Sequence, residues 1–270
     1  MPQNISLSYI GKVSSPYKEK FAIPRQPGLV SAAKGKITLL GEANTPNIVR
    51  GLEQFSHIWV LFVFHGTQQH GWDPLVRPPR LGGNKKIGVL ATRSTFRPNP
   101  IGMSVVKLDS ICIDDKRKNK DSRSITLNIS GLDLLDQTPV IDIKPYIPYA
   151  DAHINAQASY AQHIPEYDIA VSFSDFALLM LQKLEALNTY QSNSKSTSLH
   201  DKNAVTTVPP NNYVELKLLI TQILEQDPRP AYKKNKPDAK IYGMSIYNLN
   251  IQWQFSALDH INVISIDIKP

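Results

Sequence analysis

Four stretches of this 270-residue chain place polar side chains where packing alone would not require them. In Phe21–Gly28 (FAIPRQPG), Pro24 and Pro27 bracket Arg25 and Gln26 and restrict the backbone on both sides. A stiff loop presents a guanidinium fork and an amide with little ordering entropy left to lose. That suits holding a ligand; a rigid turn with an exposed Arg is the simpler alternative. His65 closes the apolar run His57–His65 (HIWVLFVFH) and is followed by Gly66. A strand end opening into a loop is a common seat for site residues, although a lone His there also serves packing. Asp73 is the one carboxylate close to His65 and His70 in sequence, too few for a ligand set, so zinc, or any other metal, is not expected. Trp72 either covers a ring or caps the core. From Pro74 to Leu108 the chain carries seven Lys/Arg and no Asp/Glu. The cations Arg77, Arg80, Lys85, Lys86, Arg93 and Arg97 sit among Pro pairs and Gly82-Gly83, which shape the loop. Cations without intervening carboxylates are free to meet phosphate or carboxylate. Finally, Gly131–Tyr146 (GLDLLDQTPVIDIKPY) brings Asp133, Asp136 and Asp142 into a basic region. They would bind a cationic group, accept ribose hydroxyls, or pair with the arginines.

Several chemistries are excluded by what is missing. There is no Gly-rich phosphate loop of either common form, no C-x-x-C, no H-E-x-x-H and no G-x-S-x-G. An ordinary kinase, dehydrogenase, metalloprotease or α/β-hydrolase is not expected. Net charge is +7, and residues 1–150 hold 20 Lys/Arg against 11 Asp/Glu while the remainder is mildly acidic. A polyanion-facing module with an appended domain fits that asymmetry. The single cysteine, Cys112, cannot form an internal disulfide; its apolar alternating surroundings predict a buried thiol. Met1–Asn4 lacks the pattern of a signal peptide, and the longest apolar run, Ile58–Phe64, is too short to cross a bilayer. A cytoplasmic protein is expected.

The elements that must position these residues divide into two textures. Residues 1–150 read as β-rich, with strands over Ile5–Val13, Lys36–Leu40, His57–His65, Ile87–Thr92, Ile101–Ile113, Ser124–Ile129 and Pro139–Ile143. His57–His65 is apolar throughout, which predicts burial on both faces. A short helical segment is expected near Thr45–Phe55, capped by Asn44 or Thr45. Asp114–Arg123 reads as an exposed hairpin tip. Many short strands with few helices predict a β-barrel, not a Rossmann sheet. Residues 151–270 read as a smaller α+β domain, entered through a boundary near Asp151–Pro165. Its expected helices are Phe173–Leu187 and Tyr213–Glu225, a flexible tract spans 188–210, and strands follow at Ile241–Tyr247, Asn250–Phe255 and Asn262–Ile268. Two prolines keep Asp227–Tyr232 (DPRPAY) out of any helix.

In this order, SPYKEKFAIPRQPGLV, VRGLEQFSHIWVLFVFH, VRPPRLGG with ATRSTFRPNPIGMS, DLLDQTPVIDIKPY and the later DPRPAY resemble the TrmO-type (YaeB, TsaA-like) tRNA adenine methyltransferase family. The resemblance covers residues 6–150 closely and the second domain more loosely. It implies a homodimeric enzyme that uses S-adenosyl-L-methionine within a β-barrel. It also implies methylation of the exocyclic adenine nitrogen of threonylcarbamoyladenosine beside the anticodon of threonine-accepting tRNA. Carried onto this chain, the cofactor contacts are Pro24, Arg25, Gln26, His65, Gly66, Arg93, Leu132, Asp133, Leu134 and Leu135, with Arg93–Pro100 walling the pocket. Arg77, Arg80, Lys85 and Lys86 are assigned to tRNA phosphate. Asp227 and Tyr232 are the candidate catalytic residues, the proton acceptor being one of them or the substrate carboxylate itself, and Arg25, Arg93 or Arg229 would hold the threonyl carboxylate. A non-catalytic tRNA-binding module and a hydrolase pairing His65 with Asp136 or Asp142 remain as alternatives.

Overall fold

A computed structural model describes residues 5–114, 124–165, 168–194, 212–230, 233 and 239–269. The expected barrel is present. Six antiparallel strands, β1 (Gly11–Ser14), β2 (Lys34–Leu39), β3 (His57–Val63), β6 (Ile101–Asp114), β7 (Ser124–Ser130) and β8 (Pro139–Pro145), close in the order β1-β2-β7-β6-β3-β8. Two-residue strands β4 (Leu75–Val76) and β5 (Ile87–Gly88) pair outside it. Closure leaves no edge strand, and the interior is filled by one side-chain set from each strand. In β7, Ile125, Leu127 and Ile129 are buried while their neighbours are half-exposed. β3 follows the same rule and is not buried on both faces as expected. Ile58, Val60 and Phe62 point inward; Trp59 stays partly exposed, where its Nε1 donates to Asp151 at 2.9 Å.

Three departures have local causes. Residues 5–9 are not a strand: Ile5, Leu7 and Tyr9 are exposed with no sheet face to cover, and pairing begins only where Ile10 donates to the Val140 carbonyl. The expected helix near Thr45–Phe55 is two 3-10 turns, Pro46–Val49 and Leu52–Gln54, separated by Gly51 at φ +86°. Neither Asn44 nor Thr45 caps it; the Asn44 side chain accepts instead from the Ile125 N–H. Third, Cys112 is exposed, against expectation. A β-bulge between Leu108 and Ser110 shifts the alternation of β6 by one residue. The inward series of Gly102, Ser104, Val106 and Leu108 therefore ends, and Cys112 turns outward. Ile87–Thr92 is strand only as far as Gly88; Val89–Ala91 is a 3-10 turn. Apart from Asp114, which ends β6, the expected 114–123 hairpin tip lies outside the described residues.

The second half is a four-stranded sheet in the order β10-β11-β12-β9, formed by β9 (Ala170–Phe173), β10 (Tyr242–Ile246), β11 (Leu249–Ala257) and β12 (His260–Ile268). After the one-turn α1 (Pro148–Asp151) come α2 (Asp175–Ser194) and α3 (Tyr213–Glu225), which contact each other and this sheet. β9 was not foreseen; it is four residues long and pairs in parallel with β12. Helix α2 starts two residues later than expected, where the Ser174 hydroxyl accepts from the Ala177 N–H. It also runs through residues 188–194, which had been expected to be flexible; the rest of that tract lies outside the described residues. Asn212 caps α3 by accepting from the Val214 N–H at 2.8 Å, and Leu216, Leu219, Ile220, Ile223 and Leu224 form its buried face.

The two halves share one hydrophobic core. Tyr17 bridges to Ile246, and the Pro16 carbonyl accepts from the Tyr247 N–H at 2.7 Å. Glu19 accepts from the Ser245 N–H, and Gln222 of α3 accepts from the Ala32 N–H. These ties bring the chain after α3, Asp227–Pro230, to the open end of the barrel.

Candidate functional site

A cavity of about 1080 Å³ opens where the loop after β1, the end of β3, the loop before β6 and the loop before β8 meet the turn after α3. Its volume lies at the upper end of the range for small-molecule sites. The sequence places each wall there for a local reason. Pro24 and Pro27 stiffen the first loop, and Gln26 Oε1 accepts from Arg93 Nη1 at 2.5 Å, so the first and third loops are tied together. β3 ends at Val63, and Phe64, His65 and Gly66 turn across the barrel mouth. Opposite Phe62, β6 has Gly102; a Cβ there would lie 2.4 Å from the Phe62 ring and 2.8 Å from that of Phe64. The two rings pack edge to face with centroids 5.2 Å apart. The glycine is what lets these aromatics line the cavity.

Most of the expected contacts converge. Pro24, Arg25, Gln26, His65, Gly66, Arg93, Asp133 and Leu135 all line this one cavity, together with Asp227 and Arg229. Leu132 and Leu134 do not: their side chains are fully buried in the core. The alternation of GLDLLD, with Asp133 and Leu135 facing one way and Leu132 and Leu134 the other, explains the split. Arg77, Arg80 and Lys85 lie away from the cavity, along a second, wider hollow of about 2470 Å³. The two hollows share Arg25, Gln26, Arg93 and Phe96, so they are continuous. Lys86 is exposed but does not line either hollow. Arg80 also has a structural task, donating to the His163 carbonyl at 2.5 Å. Tyr232 lies outside the described residues.

Asp227 differs from its expected role. Its oxygens accept from Arg229 Nε at 2.8 Å and Nη2 at 2.9 Å. Both side chains are almost wholly buried, and the guanidinium lies 3.6 Å from the Phe255 ring centre. Arg229 is thus committed to an internal ion pair, which leaves Arg25 and Arg93 as the better candidates for a substrate carboxylate. Asp227 is gripped by that fork and by the Arg229 N–H.

The other carboxylate among the described residues that line the cavity is Asp133. Ser104, 2% exposed, donates to Asp133 Oδ1 at 2.6 Å. Burial pushes the Asp133 carboxyl up to about 6, and the Ser104 hydroxyl, its own backbone N–H and the Arg93 charge oppose that shift. His65 is lowered, chiefly by desolvation; its Nδ1 faces Thr138 Oγ1 at 3.4 Å. The hydrolase alternative needs His65 bonded to Asp136 or Asp142. Asp136 instead accepts from the Ser15 N–H and from Lys18 Nζ, and Asp142 pairs with Lys144. Sequence reasoning missed Ser104 and Thr138, both on the inward series of a strand or its entry, because small hydroxyl residues in apolar alternation carry no separate signal.

Fold and cavity together define a barrel-built ligand-binding protein outside the Rossmann architecture, with a cationic groove leading to its pocket. The family models for the tRNA-methyltransferase O N-terminal domain and the TrmO C-terminal domain match residues 12–152 and 198–269. The chain is 47% identical to the tRNA (adenine(37)-N6)-methyltransferase of Escherichia coli over 245 residues, 91% of each protein. It is 41% identical to a putative S-adenosylmethionine-dependent methyltransferase of Pseudomonas aeruginosa across 97% of each. The crystal structure of TrmO from Pseudomonas aeruginosa superposes with a TM-score of 0.68 at 34% identity, covering 98% of this chain and 99% of that one. The chain belongs to the TrmO family.

Proposed function

We propose that this protein transfers a methyl group from S-adenosylmethionine to the exocyclic nitrogen of adenosine 37 in tRNA, and that its substrate is threonylcarbamoyladenosine in threonine-accepting tRNA. The carrying observation is convergence: segments around residues 24–26, 65–66, 93 and 133–135, far apart in sequence, line one ligand-sized cavity. Close relatives named as S-adenosylmethionine-dependent and as adenine-37 methyltransferases support the cofactor and the target.

The residues present suit the cofactor. Aromatic and apolar walls from Phe64, Phe96 and Leu135 accommodate its adenine and methionine carbons. Gln26, Arg25 and Arg93 supply polar anchors, and Asp133 provides the negative charge a sulfonium favours. When bound there, S-adenosylmethionine supplies an electrophilic methyl carbon. The chain's task is then to hold the adenine nitrogen in line with that carbon and to exclude water. The groove supports the RNA reading. Arg77, Lys85 and the exposed Trp72 line it, a pairing of cations with an aromatic face that suits an unpaired loop. A base extruded from such a loop would reach the adjoining cavity. Arg25 and Arg93 are forks able to hold the threonyl carboxylate. A homodimer belongs to the same proposal.

Incubation with methyl-labelled S-adenosylmethionine and tRNA tests the reading: label on the exocyclic nitrogen of position 37 is expected. Salt-sensitive tRNA binding without methyl uptake would favour the non-catalytic module instead.

A further inference from the structure

We propose that Asp133 is the proton acceptor of methyl transfer, with Ser104 as the residue that positions its carboxylate. This rests on the methyl-transfer reading above. The target nitrogen loses a proton as it gains a methyl group, and its lone pair is delocalised into the purine and the carbamoyl group. An acceptor beside that N–H raises its nucleophilicity.

The cavity offers few candidates. Among the described residues that line it, the carboxylates are Asp133 and Asp227. Asp227 is held by the Arg229 fork inside a buried pair. Asp133 Oδ1 is held by Ser104, which leaves Oδ2 to take a proton. Ser104 stands on β6 and Asp133 on the loop before β8, so a strand of the barrel fixes the carboxylate's orientation. The bulge in β6 falls beyond Ser104, at Leu108–Ser110, and so leaves the strand regular where it supports the site.

The surrounding charges allow the role. Arg93, whose positive charge favours the carboxylate, approaches from the loop before β6. Tyr17, from the loop after β1, is fully buried, and its hydroxyl has no hydrogen-bond partner among the described residues. Burial, with Tyr247 and Asp133 beside it, holds its hydroxyl neutral. His65 and Lys20 also face the cavity, as do Arg25 and Arg97. With burial raising Asp133 towards neutrality, the group is mostly ionised at pH 7 yet basic enough to accept a proton. In the step, the nitrogen's electron pair forms the bond to the methyl carbon. The pair of the breaking carbon–sulfur bond stays on sulfur. The nitrogen's proton passes to Asp133 Oδ2, and the acid so formed returns it to water after product leaves.

The test uses the full chain, threonylcarbamoyladenosine-bearing tRNA and S-adenosylmethionine. Asp133→Asn, assayed at saturating cofactor and tRNA, is expected to lower kcat by about 100-fold or more. In the wild type, log kcat/KM should rise with unit slope up to about pH 6; in Asp133→Asn that limb should vanish. Ser104→Ala removes the bond that favours ionisation, so it should move the limb to higher pH. An Asp133→Asn protein with wild-type kcat at saturation but weakened cofactor binding would make Asp133 an anchor and overturn the proposal. A persistent acid limb in that variant, or an unmoved limb in Ser104→Ala, overturns it as well. Wild-type protein that methylates no tRNA would overturn the function beneath it, a different result from an active wild type with an equally active variant.

Discussion

Two carboxylates at the cavity have opposite relations to their surroundings. Asp227 is satisfied by Arg229 within a buried pair stacked on Phe255. Removing one partner strands the other charge, so Arg229→Ala should cost about 3–5 kcal/mol of stability, read by denaturant unfolding. A change near zero would mean the pair contributes nothing net. Asp133 is buried against its own ionisation, and its raised value of about 6 has a definite sign. A carboxyl whose folded pKa lies above its unfolded one is neutral in both states at pH 3. It loses stability as pH rises through the folded value. The neutral isostere Asp133→Asn should therefore be more stable than wild type at pH 8, by on the order of 3 kcal/mol, with the gain fading towards pH 4. Equal melting at both pH values would contradict the burial cost. A residue retained at such a cost fits a functional group better than a packing one. Much of this was legible as residue types: Arg25, His65, Arg93 and Asp133 stood out as polar groups in otherwise stiff or apolar segments. The pairing of Asp227 with Arg229 was not, because it depends on which fork reaches which carboxylate in three dimensions.

At the scale of elements, the barrel was legible because its inward set alternates with period two in β2, β6 and β7. What was not legible were the places where alternation breaks. The β6 bulge turns Cys112 outward, and residues 5–9 alternate with no partner to pair. β9 pairs in parallel with a strand ninety residues away, a contact no local pattern announces. The cavity's own construction depends on the close approach of β3 and β6 at Gly102. Gly102→Ala should push Phe62 and Phe64 out of register with the wall. The expected cost is about 1–3 kcal/mol of stability, together with weaker cofactor binding by calorimetry. Unchanged affinity would show that the aromatic wall plays no part in holding the ligand.

At the scale of the whole molecule, the positive half and the groove point the same way. The cavity and the groove share Arg25, Gln26 and Arg93, and the second half contributes Tyr160 and His163 along the groove. Tyr160 ties back to the Ala91 carbonyl. The charge imbalance of residues 1–150 was legible in the sequence, whereas the joining of a cation-lined groove to a pocket is a property of the folded chain alone. If Arg77 and Lys85 each meet a phosphate, charge removal at both should lower the salt dependence of tRNA binding by about 0.7 in the log–log slope per contact. An unaltered slope would remove them from the interface. Among the described residues no helix is long and apolar enough to cross a membrane. The central claim is methyl transfer that depends on the threonylcarbamoyl group. Its most direct measurement supplies labelled S-adenosylmethionine with threonine-accepting tRNA that does or does not carry this group at position 37. The account predicts label on the exocyclic nitrogen of that nucleoside in the modified tRNA and none in the unmodified one; equal labelling of both, or labelling of neither, would contradict it.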